Sequence, residues 1–267
     1  MPRDTVQTEL PRLTASSVND LDCPKKYKQL RIDKDWPARP PVDAVQHGLA
    51  VHDVLRMLYM ARRGHVLPVE RIDTLAKIAV MKKVYSDDMD PVEEIARVAR
   101  KVRGYVACDD PQDILATIDL ERWSEFKFKL DGVPLYTVSA KIDRIIVRPE
   151  RPGALTIRDY KTGGRPKIDL KECFIFFWVA RKRYKPQGFT EIEMELDWID
   201  EDGRVSRDLI TQADVKGVHL EVVEAALKVL QGSEWPESPG EVCCYCPIRS
   251  VCQPLEDEDL AVGEDVF

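Results

Sequence analysis

A chain of 267 residues with 44% hydrophobic and 33% charged side chains has apolar mass for a sizeable core and is too hydrophobic for wholesale disorder. No apolar run approaches the ~20 residues that cross a bilayer, and "MPRDTVQTEL" lacks the apolar stretch of a secretory signal, so a cytoplasmic protein with no membrane partner is expected. The net charge of −7 argues against a nucleic-acid partner only until its distribution is read. The tail 253–267 holds six acids and no base; without it the chain is near neutral, with basic clusters at "KKYKQLR" (25–31) and "RKRYK" (181–185), and local potential steers binding more than net charge.

The Pro- and charge-rich "DKDWPARPPVD" (33–43) predicts a loop. After it Val45, Leu49, His52, Leu55 and Tyr59 recur at helical spacing. A second helix is expected over about 68–84, and a third opens at "DPVEE", with Asp90 as N-cap, Pro91 at the first helical position and Glu93 in the capping-box position. The helical part thus spans about 43–115. The period then changes to two: "RWSEFKFKL" (122–130) alternates, Asp131-Gly132 signals a hairpin, and "PLYTVSAKIDRIIVRP" follows as its partner. In that partner Val138, Ala140, Ile142 and Ile146 share one face, and Ser139, Lys141 and Asp143 the other. "LTIRDYKTGG" (155–164) is a third strand, placing Leu155, Ile157, Asp159 and Lys161 on one face. A helix with a strongly apolar face covers 169–184, two further strands are joined by Asp202-Gly203, and a helix over about 212–231 closes the core. Helices, three strands, a helix, two hairpin strands and a helix describe an α/β fold with a mixed central sheet, its core over about 120–231, flanked by helices.

Two groups of residues point to chemistry. If the strands pair in sequence order, Asp143, Asp159 and Lys161 converge at one edge of the sheet, with Glu125 as a secondary candidate and His52 placed to close the site from the first helix. Carboxylates with room for water suit Mg²⁺ or Mn²⁺, and a lysine beside them suits charge stabilisation in phosphoryl chemistry; the bland alternative is a surface ion pair. The second group is sulfur: Cys243, Cys246 and Cys252 read as C-x2-C-x5-C, and Cys23, followed by Pro24 as Cys246 is by Pro247, supplies a fourth thiolate. Four thiolates fit a structural zinc or an iron–sulfur cluster, and the residues do not choose. Either would clip the two ends of the domain together. Cys108 and Cys173 are expected to be inert buried thiols, and Cys244 is a spare.

In this order, His…Asp…Asp-x-Lys between Cys23 and Cys-x2-Cys-x5-Cys, the chain resembles RecB-type nucleases of the PD-(D/E)xK superfamily in the branch with a C-terminal cluster motif, similar to AddB-type and CRISPR-associated RecB-like nucleases. The resemblance implies a restriction-endonuclease-like domain over 1–252, a cluster-binding segment 243–252 joined by Cys23, and an acidic tail at 253–267. It implies Asp143, Asp159 and Lys161 as catalytic, His52, Asp143 and Asp159 as ligands of Mg²⁺ or Mn²⁺, and Cys23, Cys243, Cys246 and Cys252 as ligands of a [4Fe-4S] cluster, with zinc as the alternative. The implied activity is metal-dependent DNA hydrolysis at ends or in single strands, beside a helicase, integrase or recombination partner. A non-catalytic iron–sulfur DNA-binding subunit is the alternative function. Two positions depart from the family pattern: Ala140 stands where glycine is usual, and Cys173 and Phe177 stand where Gln-x3-Tyr is common.

Overall fold

The change of period near residue 117 divides the molecule into a helical unit and a sheet that the remaining helices cover. The computed structural model describes residues 12–36, 42–61, 67–130, 132–164, 167–231, 236, 243, 246–249 and 252; the acidic tail and Cys244 lie outside them. A short strand β1 (Arg12–Thr14) leads into a 3-10 segment, Ala15–Asp22, and a short helix α1 (Pro24–Tyr27). The helices α2 (Asp43–Ala61), α3 (Ile72–Val80), α4 (Pro91–Cys108) and α5 (Pro111–Leu115) follow. The expected cap of the third helix forms, with the Val92 N–H donating to Asp90 Oδ1 at 2.8 Å. The helix expected over 68–84 is shorter, because only Ile72, Ala76, Ala79 and Val80 reach the core.

The strands are β2 (Thr117–Leu130), β3 (Val133–Ile146), β4 (Ala154–Lys161), β5 (Glu191–Ile199) and β6 (Val205–Thr211), with α6 (Leu170–Tyr184) crossing between β4 and β5. Both expected hairpins form, β2 with β3 and β5 with β6, while β4 runs antiparallel to β3 and parallel to β5. The mixed sheet is as expected. The last helix is broken into α7 (Gln212–Val215) and α8 (Val218–Gln231), with the break at Lys216-Gly217, a position where glycine weakens a helix.

One face of the sheet meets α6 and α8 in an apolar core that includes Val138, Ile142, Ile157, Phe176 and Met194. The other face meets α2, α3 and α4, where Val54, Leu58, Val98 and Val102 pack. Backbones approach closely on this side. A Cβ on Gly104 of α4 would fall 2.5 Å from the Asp202 carbonyl, in the turn where Gly203 has φ 81°, so the glycines let helix and hairpin touch.

β3 shares one edge between two partners. Its first half pairs with β1 through Thr137, Val138 and Ser139, and its last three residues, Arg144 to Ile146, pair with β4. Residues 140–143 have no ladder partner on that edge. At the last β3–β4 pair two arginines, Arg144 and Arg158, stand opposite each other, both fully buried on the helical side. Like charges so placed repel. Asp109, just after α4, accepts from both, from Arg144 at 2.7 Å and from Arg158 at 2.8 Å. Arg158 also donates to Asp113 at 2.6 Å and to Glu195 at 2.9 Å, and Arg144 to Thr117 at 2.8 Å.

The strict alternation expected along β3 fails here, since Ile142 and Ile145, three apart, enter the same core. Across from Asp143, between the Leu120–Arg144 and Arg122–Ile142 pairs, Glu121 has a left-handed backbone with φ 49°. That conformation is uncommon for a residue with a Cβ and distorts the pleat.

Removing one partner of a buried, hydrogen-bonded ion network costs far more than removing an exposed pair. Asp109→Ala, which strands two buried arginines, is expected to lower stability by about 3–5 kcal/mol. Arg103→Ala, which removes the exposed ion pair with Asp73, is expected to cost at most about 1 kcal/mol. Urea denaturation of both variants checks the contrast.

Candidate active site

β3 and β4 part immediately after the arginine pair, and the polar residues gather in the opening. With no β3 carbonyl to meet, the Tyr160 N–H donates instead to Asp143 Oδ2 at 2.9 Å. On the other carboxylate oxygen, His52 Nδ1 of α2 approaches Asp143 Oδ1 at 3.3 Å. Helix α2 comes this close because residue 48 is glycine: a Cβ there would sit 2.7 Å from Thr162 Oγ1, just past the end of β4. His47 is directed elsewhere, with Nδ1 at 2.7 Å from Glu94 Oε1 in the helical core. Lys161 Nζ lies 2.9 Å from Asp159 Oδ2 and donates to Glu172 Oε1 at 3.0 Å. The first turn of α6 is fixed by Asp169, which accepts from the Lys171 N–H at 2.9 Å, so Glu172 is held where the lysine ends.

His52, Asp143, Asp159 and Lys161 are therefore brought together as the sequence places them. Glu125 is not. It pairs across the hairpin with Ser139 and forms an ion pair with Arg12 at 3.1 Å. The acid that joins the site is Glu121, four residues earlier, with Lys141 as its ion-pair partner. Ligand atoms of His52, Glu121 and Asp143 all lie within 4.8 Å of one another, the one such group among the described residues. Glu172 is the other residue the sequence did not flag.

Burial would raise Asp143, but the His52 imidazole, the hydrogen bond from Tyr160 and Lys161 overcome it and hold this carboxyl below its ordinary range. Burial pushes Asp159 up, and with the nearby charges of Asp143 and Glu172 outweighs Lys161 to bring it to about 7. Burial and the Asp143 charge raise Glu121, against Lys141. Burial pulls His52 down, yet Asp143, Asp159 and Glu121 together lift it to about 9. Lys161 is likewise drawn down by burial and raised further by Asp159 and Glu172, so it stays protonated. The cluster is a surplus of negative charge that a proton now relieves, which is the condition a divalent cation satisfies. A cleft of about 540 Å³ opens beside it, lined by His52, Lys161, the Thr162–Gly164 loop and Glu172.

The cysteines expected to hold a cluster lie elsewhere. Cys23 precedes α1, and Cys243 and Cys246 share a turn closed by the Cys246 N–H and the Cys243 carbonyl at 3.1 Å. The two ends of the chain do meet, since the Lys25 N–H donates to the Pro236 carbonyl at 3.4 Å, and Ile248 is buried. No three of these cysteines form a tight ligand group among the described residues. Cys173 is buried and its thiol is pushed up to about 12 by that burial, in keeping with an inert role. Cys108, expected to be buried, is exposed because it ends α4.

The fold and this cleft belong to a known class. The profile of the PD-(D/E)XK nuclease superfamily matches residues 12–253, and the chain belongs to that superfamily. Its fold is the mixed, helix-flanked sheet of restriction-endonuclease-like proteins. A solved structure described as a "Putative exonuclease" from Eubacterium rectale is similar at 13% identity and a TM-score of 0.60, covering 94% of this chain and 93% of that one. A second, SSO0001, overlaps at a TM-score of 0.35 and 15% identity over 70% of this chain and 96% of its own, too weakly to define a shared fold. No curated protein matches the chain. Members of the superfamily generally use divalent metals, and the His52–Glu121–Asp143 group has the donors for one. No described helix is long and apolar enough to cross a membrane.

A metal ligand must be deprotonated. His52 at about 9 and Asp159 at about 7 are both protonated in appreciable fraction at pH 6. If they hold a divalent cation, its binding at that pH releases protons, and affinity rises with pH through 7 and on towards 9. Titration calorimetry in two buffers of different ionisation enthalpy is expected to show this release, and His52→Ala to remove the part above pH 7.

Proposed function

We propose that the chain is a metal-dependent DNA nuclease that hydrolyses phosphodiester bonds, acting at ends or on single strands in recombination, repair or defence. The observation that carries this reading is the meeting of Asp143, Asp159 and Lys161 with His52 and Glu121 at the parted strand ends, in a member of a nuclease superfamily. An imidazole and several carboxylates fit Mg²⁺ or, with nitrogen among the donors, Mn²⁺. His52, Glu121, Asp143 and Asp159 are the residues that would hold it. Such a cation supplies Lewis-acid charge to a phosphoryl oxygen and makes water a stronger nucleophile at neutral pH.

The protein's own groups do the rest. The Tyr160 N–H fixes one oxygen of Asp143, so that carboxylate is oriented before substrate arrives. Lys161, kept charged by Asp159 and Glu172, offers its ammonium to the charge that builds on the phosphate during attack. The Thr162–Gly164 loop and α2 form the two sides of the cleft through which the strand reaches these groups.

Cys23, Cys243, Cys246 and Cys252 are assigned to a [4Fe-4S] cluster that joins the two ends of a single domain over 1–252, zinc being the alternative. Support comes from four half-buried thiols in two segments already tied by the Lys25–Pro236 hydrogen bond. A larger assembly with a helicase, integrase or recombination partner suits such a domain.

The test is cleavage of end-labelled single- and double-stranded DNA with Mg²⁺ or Mn²⁺ by anaerobically purified protein. EDTA should abolish cutting, and Asp143→Ala, Asp159→Ala, Lys161→Ala and Glu121→Ala should each reduce it by roughly 100-fold or more without loss of fold. Glu125→Ala should stay within a few fold of the parent. Equal losses at Glu121 and Glu125 would contradict the assignment of Glu121. Cys246→Ala should lose the broad visible absorbance of an iron–sulfur cluster; colourless, folded, zinc-containing parent protein would replace the cluster by zinc and leave the nuclease reading intact.

A further inference from the structure

Helix α6 presents a second, different surface. Phe174, Trp178, Arg181, Lys182 and Lys185 recur at three- and four-residue spacing and so share one side of the helix region. They line a groove of about 1010 Å³ whose far wall is Gln212, Lys216 and His219, at α7 and the start of α8. The groove is separate from the cleft. Asp169, Glu172 and Cys173, which line the cleft, point from the opposite flank of α6. Ile192 lines the groove and Met194, Leu196 and Trp198 the cleft, so along β5 the two begin about 7 Å apart at 3.3 Å per residue.

The lining has two properties that together specify a ligand. Arg181, Lys182, Lys185 and Lys216 are exposed; among the described residues no carboxylate lines the groove and none of the four has a carboxylate partner. Arginines 148, 151, 158 and 207, by contrast, all have carboxylate partners. In a chain of net charge −7, four unneutralised cations around one groove are a local anion site. The second property is aromatic. Trp178 is half-buried and braced from behind by Phe126 and Phe128, with ring centroids at 6.3 and 6.2 Å. Lys182 Nζ lies 5.4 Å from the Trp178 ring, and the Phe174 ring on the α6 side lies 5.4 Å from the His219 ring of the far wall.

We propose that this groove is a second, non-catalytic binding site for single-stranded nucleic acid, which takes phosphates on Arg181, Lys182, Lys185 and Lys216 and bases against Trp178, Phe174 and His219. Cations that follow a backbone beside rings that accept any base are the two elements of sequence-tolerant strand binding. A duplex keeps its bases stacked and offers nothing to the rings. An acidic peptide would satisfy the cations but leave the aromatic surface unused. The choice of ligand rests on the nuclease reading; the groove anchors the strand a few nucleotides from the bond that is cut.

The test uses the full chain in EDTA, so that nothing is cleaved, and the anisotropy of a labelled oligothymidylate of about 16 nucleotides. The triple variant Arg181→Ala, Lys182→Ala, Lys185→Ala changes exposed residues and should keep the parent melting temperature. Its affinity is expected to fall at least tenfold, and its salt slope to flatten by about 2, since each cation on a single strand contributes roughly 0.7. Photocrosslinking of an iododeoxyuridine oligonucleotide should mark the peptide that holds Phe174 and Trp178. Unchanged affinity and slope in the triple variant overturn the proposal. So does binding of a labelled peptide of residues 253–267 that the triple variant loses while the oligonucleotide binds both proteins equally, because the groove is then a site for acidic chain. Asp159→Ala separates the two readings. Groove-dependent binding without any metal-dependent cutting refutes the nuclease and keeps the groove, whereas Asp159-dependent cutting with normal binding by the triple variant does the reverse.

Discussion

Two arginines facing each other across the last pair of β3 and β4 set the geometry of everything beyond them. Arg144 and Arg158 are buried and of like charge, and Asp109 bridges the pair by giving one carboxylate oxygen to each. Asp109 lies at the end of α4, so the helical unit is tied to the sheet at the point where the two strands stop pairing. One residue further along each strand stand Asp143 and Asp159. The strands can part there without fraying because the network behind them, extended through Asp113 and Glu195, keeps the preceding residues fixed.

The two faces of β4 show how one strand serves stability and chemistry at once. Arg158 points into a network in which its cation is fully matched by carboxylates. Asp159, on the alternate face, enters a region where carboxylates outnumber cations, and is driven up to about 7 in consequence. Neutralised buried charge is rigid, and unneutralised buried charge is an open demand for a cation or a proton. The sheet places the first directly behind the second, so the demand does not relax by movement of the backbone.

Much of this was legible because it is local. The Asp-Gly hairpins, the alternating strands, the Asp90 cap and the mixed order of elements follow from patterns a few residues long. The meeting of Asp143, Asp159 and Lys161 was legible because period two in adjacent strands brings them to one end. Glu121 was missed for a definite reason. It lies one residue before the expected strand 122–130, whereas β2 begins at Thr117. Only the hairpin register, which pairs Glu125 with Ser139 and leaves Glu121 across from Asp143 between the Leu120–Arg144 and Arg122–Ile142 pairs, picks it out. The register runs through a left-handed residue that no pattern announces. Arg144 and Arg158 were opaque in another way, because a charged residue within a strand reads as solvent-facing, and here the second face is covered by α4 and its flanking acids. Cys108 was misjudged from its helical surroundings, although the last residue of a helix often faces solvent.

Helix α6 illustrates a further limit of reading by clusters. "RKRYK" is one basic run in the sequence, but the fold divides it. Arg183 faces Asp119 at 3.5 Å, and Tyr184 is buried with its hydroxyl on Asp119 at 2.9 Å. Arg181, Lys182 and Lys185 are left on the groove side. The same helix begins with Glu172 gripping the lysine of the cleft. A substitution in its apolar middle, at Val179 or Ala180, would therefore shift the cleft and the groove together, whereas changes at the exposed cations act on the groove alone. Helix α6 thus joins the cleft to the groove physically, because its buried face is packed along the sheet between them.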